Sequence, residues 1–349
     1  MDAIFIKVPA RICFFGDHQD YLGLPVIAGT INRYITLKAY PITEKDFKIE
    51  LKDLKTSITI PLNDSLNEVQ KNDYFRSGMA VVKEKGFDFV DGYQIEISGN
   101  IPLNAGLSSS SALVVAWIRF LATQGNIKIT DEEIGRMAYK AEVEFFNQPG
   151  GLMDQYTIAQ GGLLYIDTKT GKTVNLPVSL GGLVVAESGI EKETQEVLKN
   201  AHVYQEKAIA QVKKAHPKFE IQKTNLEDYE RYLNLVSEEY HKYWYAAIYN
   251  YDITKKAKQF LHSGFSTLVM LGELMNMHQK ILEQCIQNTP PAMIKMMSTA
   301  IRAGAFGAKI IGSGGGGCMV AIVEKDKIKS VKDAFLKGGA KATYEVELV

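Results

Sequence analysis

Residues 102–121 read PLNAGLSSSSALVVAWIRFL, a glycine turn followed by four serines and then an apolar run. Helical patterning dominates from Ser110 to Thr123, so the serines stand at the entrance to a helix. A helix start leaves several backbone N–H groups without intrahelical acceptors, and the helix dipole adds partial positive charge there. Asn104 to Gly106 form the turn, and its glycine lets the backbone approach an anion closely. No Gly-Lys-Ser or Gly-Lys-Thr closes the segment, so it is not a Walker A loop. One serine suffices for a cap and four exceed that need, yet the local pattern serves capping and phosphate binding about equally well.

Outward from this point the chain divides. The first hundred residues read mainly as strands: 3–15, 26–42, 47–62 and 92–100 are rich in Ile, Val, Phe and Thr and bounded by turn residues. Helical patterning interrupts them at Asp73 to Lys85. It returns from Asp131 to Phe146, where Thr-Asp-Glu-Glu makes an N-terminal cap. Strand-like runs follow at 161–178 and 181–190. From Glu193 to about Asn288 the chain is mostly helical, and 290–304 is another helix with Gly304 as its stop. Residues 308–324 read as strand, glycine turn and strand. The length of 349 residues suggests two domains, placed at 1–180 and 181–349. The element order predicts an α+β protein of two lobes.

Forty basic residues balance forty acidic ones, which leaves no basic footprint for nucleic acid and no attraction to an anionic membrane surface. Cys13, Cys285 and Cys318 are scattered and form neither a disulfide framework nor a zinc pattern, which fits a reduced, cytoplasmic setting. No signal peptide and no apolar stretch of about 18 residues is read, so no membrane span is expected. The histidines lack His-Glu-x-x-His spacing, which leaves zinc chemistry unsupported. Gly312 to Gly317 satisfy Gly-x-Gly-x-x-Gly, but a strand follows them where a dinucleotide fold needs a helix. They read as a tight turn that also borders a ligand. Met293, Met296 and Met297 read as core. The aromatic run 240–252 reads as interdomain or dimer packing, with monomer and homodimer both open.

The segment PLNAGLSSSSAL resembles the phosphate-binding motif of the GHMP small-molecule kinases. Residues 9–23, PARICFFGDHQDYLG, resemble the sugar-binding loop of the galactokinases within that family. Residues 139–162, containing GLMDQY, resemble another galactokinase run, and 307–322 resemble the family's third motif. The likeness extends from about residue 7 to 324, with 193–260 unmatched.

The resemblance implies a fold, a reaction and a set of roles. The fold is a two-lobed α+β architecture with a left-handed βαβ crossover in the N-terminal lobe (ribosomal protein S5 domain 2-like) and a ferredoxin-like C-terminal lobe. The reaction is ATP-dependent, magnesium-dependent phosphorylation of a small-molecule sugar, with the anomeric hydroxyl of galactose as the leading acceptor. Gly106, Leu107, Ser108, Ser109, Ser110 and Ser111 would bind ATP, with Tyr74 bordering the adenine. Ser110 and Glu142 would hold Mg2+, with the extra Ser111 shifting that assignment by up to one position. Asp154 would be the catalytic base and Arg11 its partner. Asp17, His18, Asp20 and Tyr21 would bind the sugar, and Gly312, Gly314, Gly315 and Gly316 form the third motif. Mevalonate kinases carry an apolar residue where Asp20 stands and lysine where Arg11 stands, so both positions favour a sugar. Galactokinases carry glutamate where Asp17 stands, and residues 271–282 and 312–318 look more like mevalonate kinases. A mevalonate-type kinase, a uronate or arabinose kinase and a non-catalytic sugar sensor are the alternatives.

Overall fold

Strand β2 (Val26–Ile42), 17 residues rich in β-branched and aromatic side chains, organises the first sheet. It pairs antiparallel with β1 (Ile4–Phe15) along nearly its whole length. It also pairs antiparallel with β5 (Gly92–Gly99) and β6 (Leu163–Ile166). The remaining strands of this seven-stranded sheet are β3 (Asp46–Leu51), β4 (Thr56–Pro61) and β7 (Thr173–Asn175). The molecule, a computed structural model, is described for residues 2–102, 106–177, 180–191, 194–263 and 268–349. Asn104, expected in the turn before the serines, lies outside the described residues.

Helices α2 (Ser109–Gln124) and α4 (Met153–Gln160) pack on this sheet, and α1 (Tyr74–Lys83) and α3 (Asp131–Glu142) pack on α2. The apolar run read at 112–122 is the middle of α2, and Val114 to Ile118 are buried. The capping box predicted for α3 forms between Thr130 and Glu133. The helix expected to run to Phe146 stops at Glu142, where Val143 turns and a 3-10 turn spans Glu144–Phe146. That stop places Glu142 at the end of a helix, and it is buried rather than on a solvated face.

The second sheet has the order β11-β8-β10-β9 and is antiparallel throughout. Its strands are β8 (Gly182–Glu187), β9 (Gly307–Ile310), β10 (Cys318–Val323) and β11 (Ala342–Val346). The first sheet ends at Asn175 and the second begins at Gly182. Between β8 and β9 come α5 (Thr194–Ala215), α6 (Glu227–Leu233), α7 (His241–Ser263), α8 (Leu268–Ile281) and α9 (Pro291–Arg302). After β10, α10 (Ile328–Gly338) returns the chain to β11, an excursion that the sequence reading, which stops at Glu324, does not cover. The three methionines of α9 are buried in the main core. The chain end ties the two sheets together: Asn32 donates to the Glu347 carbonyl at 3.0 Å and Val349 to that of Thr30 at 3.1 Å.

The aromatic run of α7 has its own core. Tyr240, Trp244, Ile248 and Tyr251 are buried with Ala208, Ile209 and Val212 of α5, and Leu24 completes the cluster. Leu24 ends the loop that joins β1 to β2. The aromatic helix thus packs under that loop, which the reading of 240–252 as packing anticipated only in kind.

Candidate functional site

A cavity of about 380 Å³ is walled by the β1–β2 loop, the start of α2, the end of α3, the start of α4 and the turn after β9. Arg11, Asp17, His18, Asp20, Tyr21, Tyr74, Gly106, Ser108 to Ser111, Glu142, Asp154 and Gly312 all line it. The sequence motifs therefore converge, although 295 residues separate Asp17 from Gly312. Leu107 is the exception among the first group: its side chain is buried in the core. Gly314, Gly315 and Gly316 turn away from the cavity. The Gly315 N–H donates to the Asn288 carbonyl at 2.7 Å, and a Cβ on Gly316 would stand 2.5 Å from the Glu191 carbonyl oxygen. With φ of 144° at Gly316, that turn needs glycine for backbone reasons.

The four serines divide their work. Ser108 precedes α2 in the left-handed region, at φ 57°, and no side chain caps the helix. Its hydroxyl donates instead to Asp154 Oδ2. Helix geometry leaves the N–H groups of Ser109, Ser110 and Ser111 without intrahelical acceptors. They start a 16-residue helix whose dipole favours an anion there. Ser110 is exposed, whereas Ser111 is buried, 3.5 Å from Gln155 Nε2.

Arg11 and Asp154 form a two-pronged pair. Nε lies 2.6 Å from Oδ1, Nη2 lies 2.8 Å from Oδ2, and Nη1 donates to the Gly106 carbonyl at 2.8 Å. Such a fork fixes both side chains in one plane. Burial of Arg11 works against its charge, but the Asp154 carboxylate outweighs it and raises the guanidinium pKa. Asp154 lies in the first turn of α4 and is not the cap, a position held by Leu152. Arg11, which in isolation would pass for an edge-strand surface residue, is only 4% exposed.

Glu142 is held by Gln155, whose Nε2 donates to Oε2 at 2.7 Å, and it interacts with Ser110 and Ser111. Burial raises its pKa, and these hydrogen bonds oppose the rise. Gln155 Oε1 is buried with no hydrogen-bond partner. A carboxylate, two hydroxyls and an unsatisfied amide oxygen form a hard-oxygen donor set, which fits Mg2+. Among the described residues no group of three or more His, Cys, Asp or Glu is placed to hold a metal ion. An ion here would therefore draw most of its ligands from phosphate and water, as Mg2+ prefers.

The β1–β2 loop splits into two pairs. Asp17 and His18 turn toward the second lobe. Lys309 Nζ lies 2.6 Å from Asp17 Oδ2, and both side chains are almost fully buried. Lys309 was not anticipated from sequence, since a lone lysine in a short strand reads as a surface residue. The Tyr21 hydroxyl donates to Gln205 Oε1 at 2.7 Å, so it accepts from His18 Nδ1 at 3.1 Å. His18 Nε2 lies 3.0 Å from Asn288 Nδ2 and 3.1 Å from the Ser313 carbonyl, to which Asn288 Nδ2 also donates at 2.9 Å.

Asp20 faces the cavity. Its Oδ1 accepts the Tyr21 N–H at 3.0 Å, and a Cβ on Gly151 would stand 2.2 Å from its Oδ2. Burial, with repulsion from Asp154, pushes its pKa up to about 7. A second cavity shares Asp20, Tyr21 and Gln148 to Gly151 with the first and reaches His202 and Glu206. Among the described residues, Arg11 is the only lysine or arginine on the walls of either cavity. Tyr74 borders the first cavity with its ring edge-on to Phe146, 5.9 Å between centroids. No helix among the described residues is long and apolar enough to cross a membrane.

Comparison with known proteins places this arrangement. The chain is 26% identical to the mevalonate kinase of Thermococcus gammatolerans over 98% of its own length and 96% of that protein's. It is 25% identical to the galactokinase of Pyrococcus furiosus over 97% of its length and 94% of that protein's. Likeness in sequence is thus divided between two acceptor classes. Among solved structures, the Lactococcus lactis galactokinase complexed with galactose superposes with a TM-score of 0.90 at 22% identity, covering 99% of this chain and 94% of that one. The Methanococcus jannaschii mevalonate kinase gives 0.74 at 20%, covering 100% and 99%. These establish the two-lobed α+β fold. Residues 73–162 match the GHMP kinases N terminal domain and 257–341 the GHMP kinases C terminal domain. With both domains present in order around a shared cavity, the chain belongs to the GHMP kinase family.

Proposed function

We propose that this kinase transfers the γ-phosphoryl group of ATP to the anomeric hydroxyl of a neutral monosaccharide, galactose being the first candidate. Residues 1–180 supply the phosphate bed and the acceptor loop, and 181–349 the opposing lobe. The observation that carries the acceptor class is the charge of the cavity. Asp20 offers carboxylate oxygens to hydroxyl donors, and the one arginine on the walls is committed to Asp154. Mevalonate and uronates carry a carboxylate, which would face Asp20, Asp154 and Glu142, and among the described residues no lysine or second arginine lines the cavity to receive it.

In this reading the N–H groups of Ser108 to Ser111 and the hydroxyls of Ser109 and Ser110 cradle the ATP phosphates, and Tyr74 borders the base. Asp154 accepts the acceptor hydroxyl's proton while Arg11 holds it in place and faces charge on the transferred group. Ser110 and Glu142 would hold Mg2+, which would supply positive charge against the ATP phosphates. Catalysis of this kind is mostly positioning and electrostatics.

The test is ADP release by the purified protein with ATP and Mg2+ across galactose, N-acetylgalactosamine, arabinose, fucose, glucuronate, galacturonate and mevalonate. Turnover with a neutral sugar is expected. Turnover with mevalonate or a uronate alone would overturn the acceptor class, and silence across the panel with ATP bound would favour a sensor. The metal assignment has its own check. Ser110→Ala and Glu142→Gln should each raise the Mg2+ concentration for half-maximal rate about tenfold, since ligand partners of this kind are typically worth that much. An unchanged Mg2+ dependence in both variants would remove these residues from the metal site.

A further inference from the structure

The sequence marks Asp17 for hydroxyl binding, yet its carboxylate is already spent inside the protein. The side chain is 1% exposed, with Oδ2 2.6 Å from Lys309 Nζ, itself 0% exposed. Oδ1 accepts the Gly312 N–H at 3.0 Å. Lys309 also donates to the carbonyls of Cys13 at 3.2 Å and Ile310 at 2.6 Å. An ammonium has three donors, so each is committed. One buried cation thus joins β1 of the first sheet, the acceptor loop and β9 of the second. The contact around it is continuous: Gln279 Oε1 accepts the Ile310 N–H at 3.0 Å, and Asn288 links His18 to Ser313.

We propose that Asp17 is a positioning residue that anchors the acceptor loop to the second lobe through Lys309, and that Asp20 and Tyr21, not Asp17, meet the acceptor. Gly312 and Ser313 line the same cavity as Asp20, so the Asp17–Lys309 pair sets how the acceptor loop and the turn after β9 are placed around it. The pair acts on acceptor geometry while the phosphate bed on α2 belongs to the first lobe alone. The activity readout rests on the sugar-kinase reading; the anchoring itself does not.

The experiment is a cycle of Asp17→Asn, Lys309→Met and the double variant, with Lys309→Arg as the conservative control. Acceptor and ATP KM are measured, together with amide exchange in residues 16–24 and 312–317. Each single variant should raise the acceptor KM about tenfold or more, because small displacements far from the chemistry are costly, and should speed exchange in both segments. The double variant should be no worse than the worse single, since no charge is then left buried alone. Lys309→Arg should restore slow exchange and most of the acceptor affinity, and the ATP KM should stay within about twofold throughout. If Lys309→Met leaves acceptor KM and exchange as in the parent while Asp17→Asn loses acceptor binding, Asp17 touches the acceptor and the proposal is wrong. Unchanged exchange in both singles overturns it as well. A parent protein silent toward every acceptor would sink the sugar-kinase reading, and the exchange cycle would still decide the anchor.

Discussion

Asp154→Asn should lower kcat by about 10³-fold while ATP affinity stays near that of the parent, the range expected for loss of a positioned proton acceptor. The size of the effect follows from how Asp154 is held. Arg11 grips both carboxylate oxygens, and Ser108 donates to one of them. An amide of the same shape would turn an NH2 group toward the guanidinium or toward Ser108, so it loses basicity and disturbs the fork together. A carboxylate so held suits phosphoryl transfer, where catalysis is mostly positioning. Arg11→Lys is the companion variant: it keeps a cation but loses the planar two-pronged geometry, so kcat should fall by about 10²-fold. Rapid-quench measurement of γ-phosphoryl transfer, with ATP binding measured separately by equilibrium titration, separates chemistry from affinity. A kcat within tenfold of the parent in Asp154→Asn would strip Asp154 of the base role.

What the sequence disclosed and what it withheld divide along a physical line. That the phosphate segment, Arg11, Glu142 and Asp154 line one cavity is legible through the family resemblance of short motifs, and the strand-rich first hundred residues through their Ile, Val, Phe and Thr and the turn residues that bound them. The end of α3 at Glu142 was not legible, because Phe145 and Phe146 continue an apolar pattern that the chain satisfies by turning into a 3-10 step. Lys309 was hidden for another reason. Nothing in Ala-Lys-Ile-Ile tells a lysine on the surface from one fully enclosed; that depends on a carboxylate 292 residues away. The same holds for the helices between β8 and β9. Their aromatic density was visible, but that Leu24 of the acceptor loop is packed into them and Tyr21 bonded to Gln205 is a tertiary fact. In the third motif, glycine count suggested a ligand. The structure assigns Gly314 to Gly316 to left-handed backbone and close approach to Asn288 and Glu191, leaving Gly312 and Ser313 at the cavity.

Asp20 links substrate binding, pH and stability in one residue, and the three should move together. In the unfolded chain an aspartate ionises near its usual value of about 3.9, whereas burial and Asp154 push Asp20 up to about 7 in the fold. Between those pH values the folded protein keeps a proton that the unfolded chain has released. Stability therefore falls as pH rises from about 4 to about 7 and stays at its lower level above that. The full shift corresponds to at most about 4 kcal/mol, less what cavity water screens. Asp20→Asn removes the charge, so its melting temperature should exceed the parent's at pH 8 and match it at pH 4. Acceptor binding runs the opposite way. In the proposed reading the ionised carboxylate accepts from acceptor hydroxyls, and a hydrogen bond to a charged group is worth about 1.5–3 kcal/mol. The parent's kcat/KM for the acceptor should thus climb to a plateau above pH 7. In Asp20→Asn it should be about 10²-fold lower at pH 8 and should not climb with this pKa. A parent profile flat from pH 5.5 to 8.5 would show that Asp20 does not meet the acceptor as a carboxylate. A variant no more stable than the parent at pH 8 would show that the buried charge costs the fold nothing.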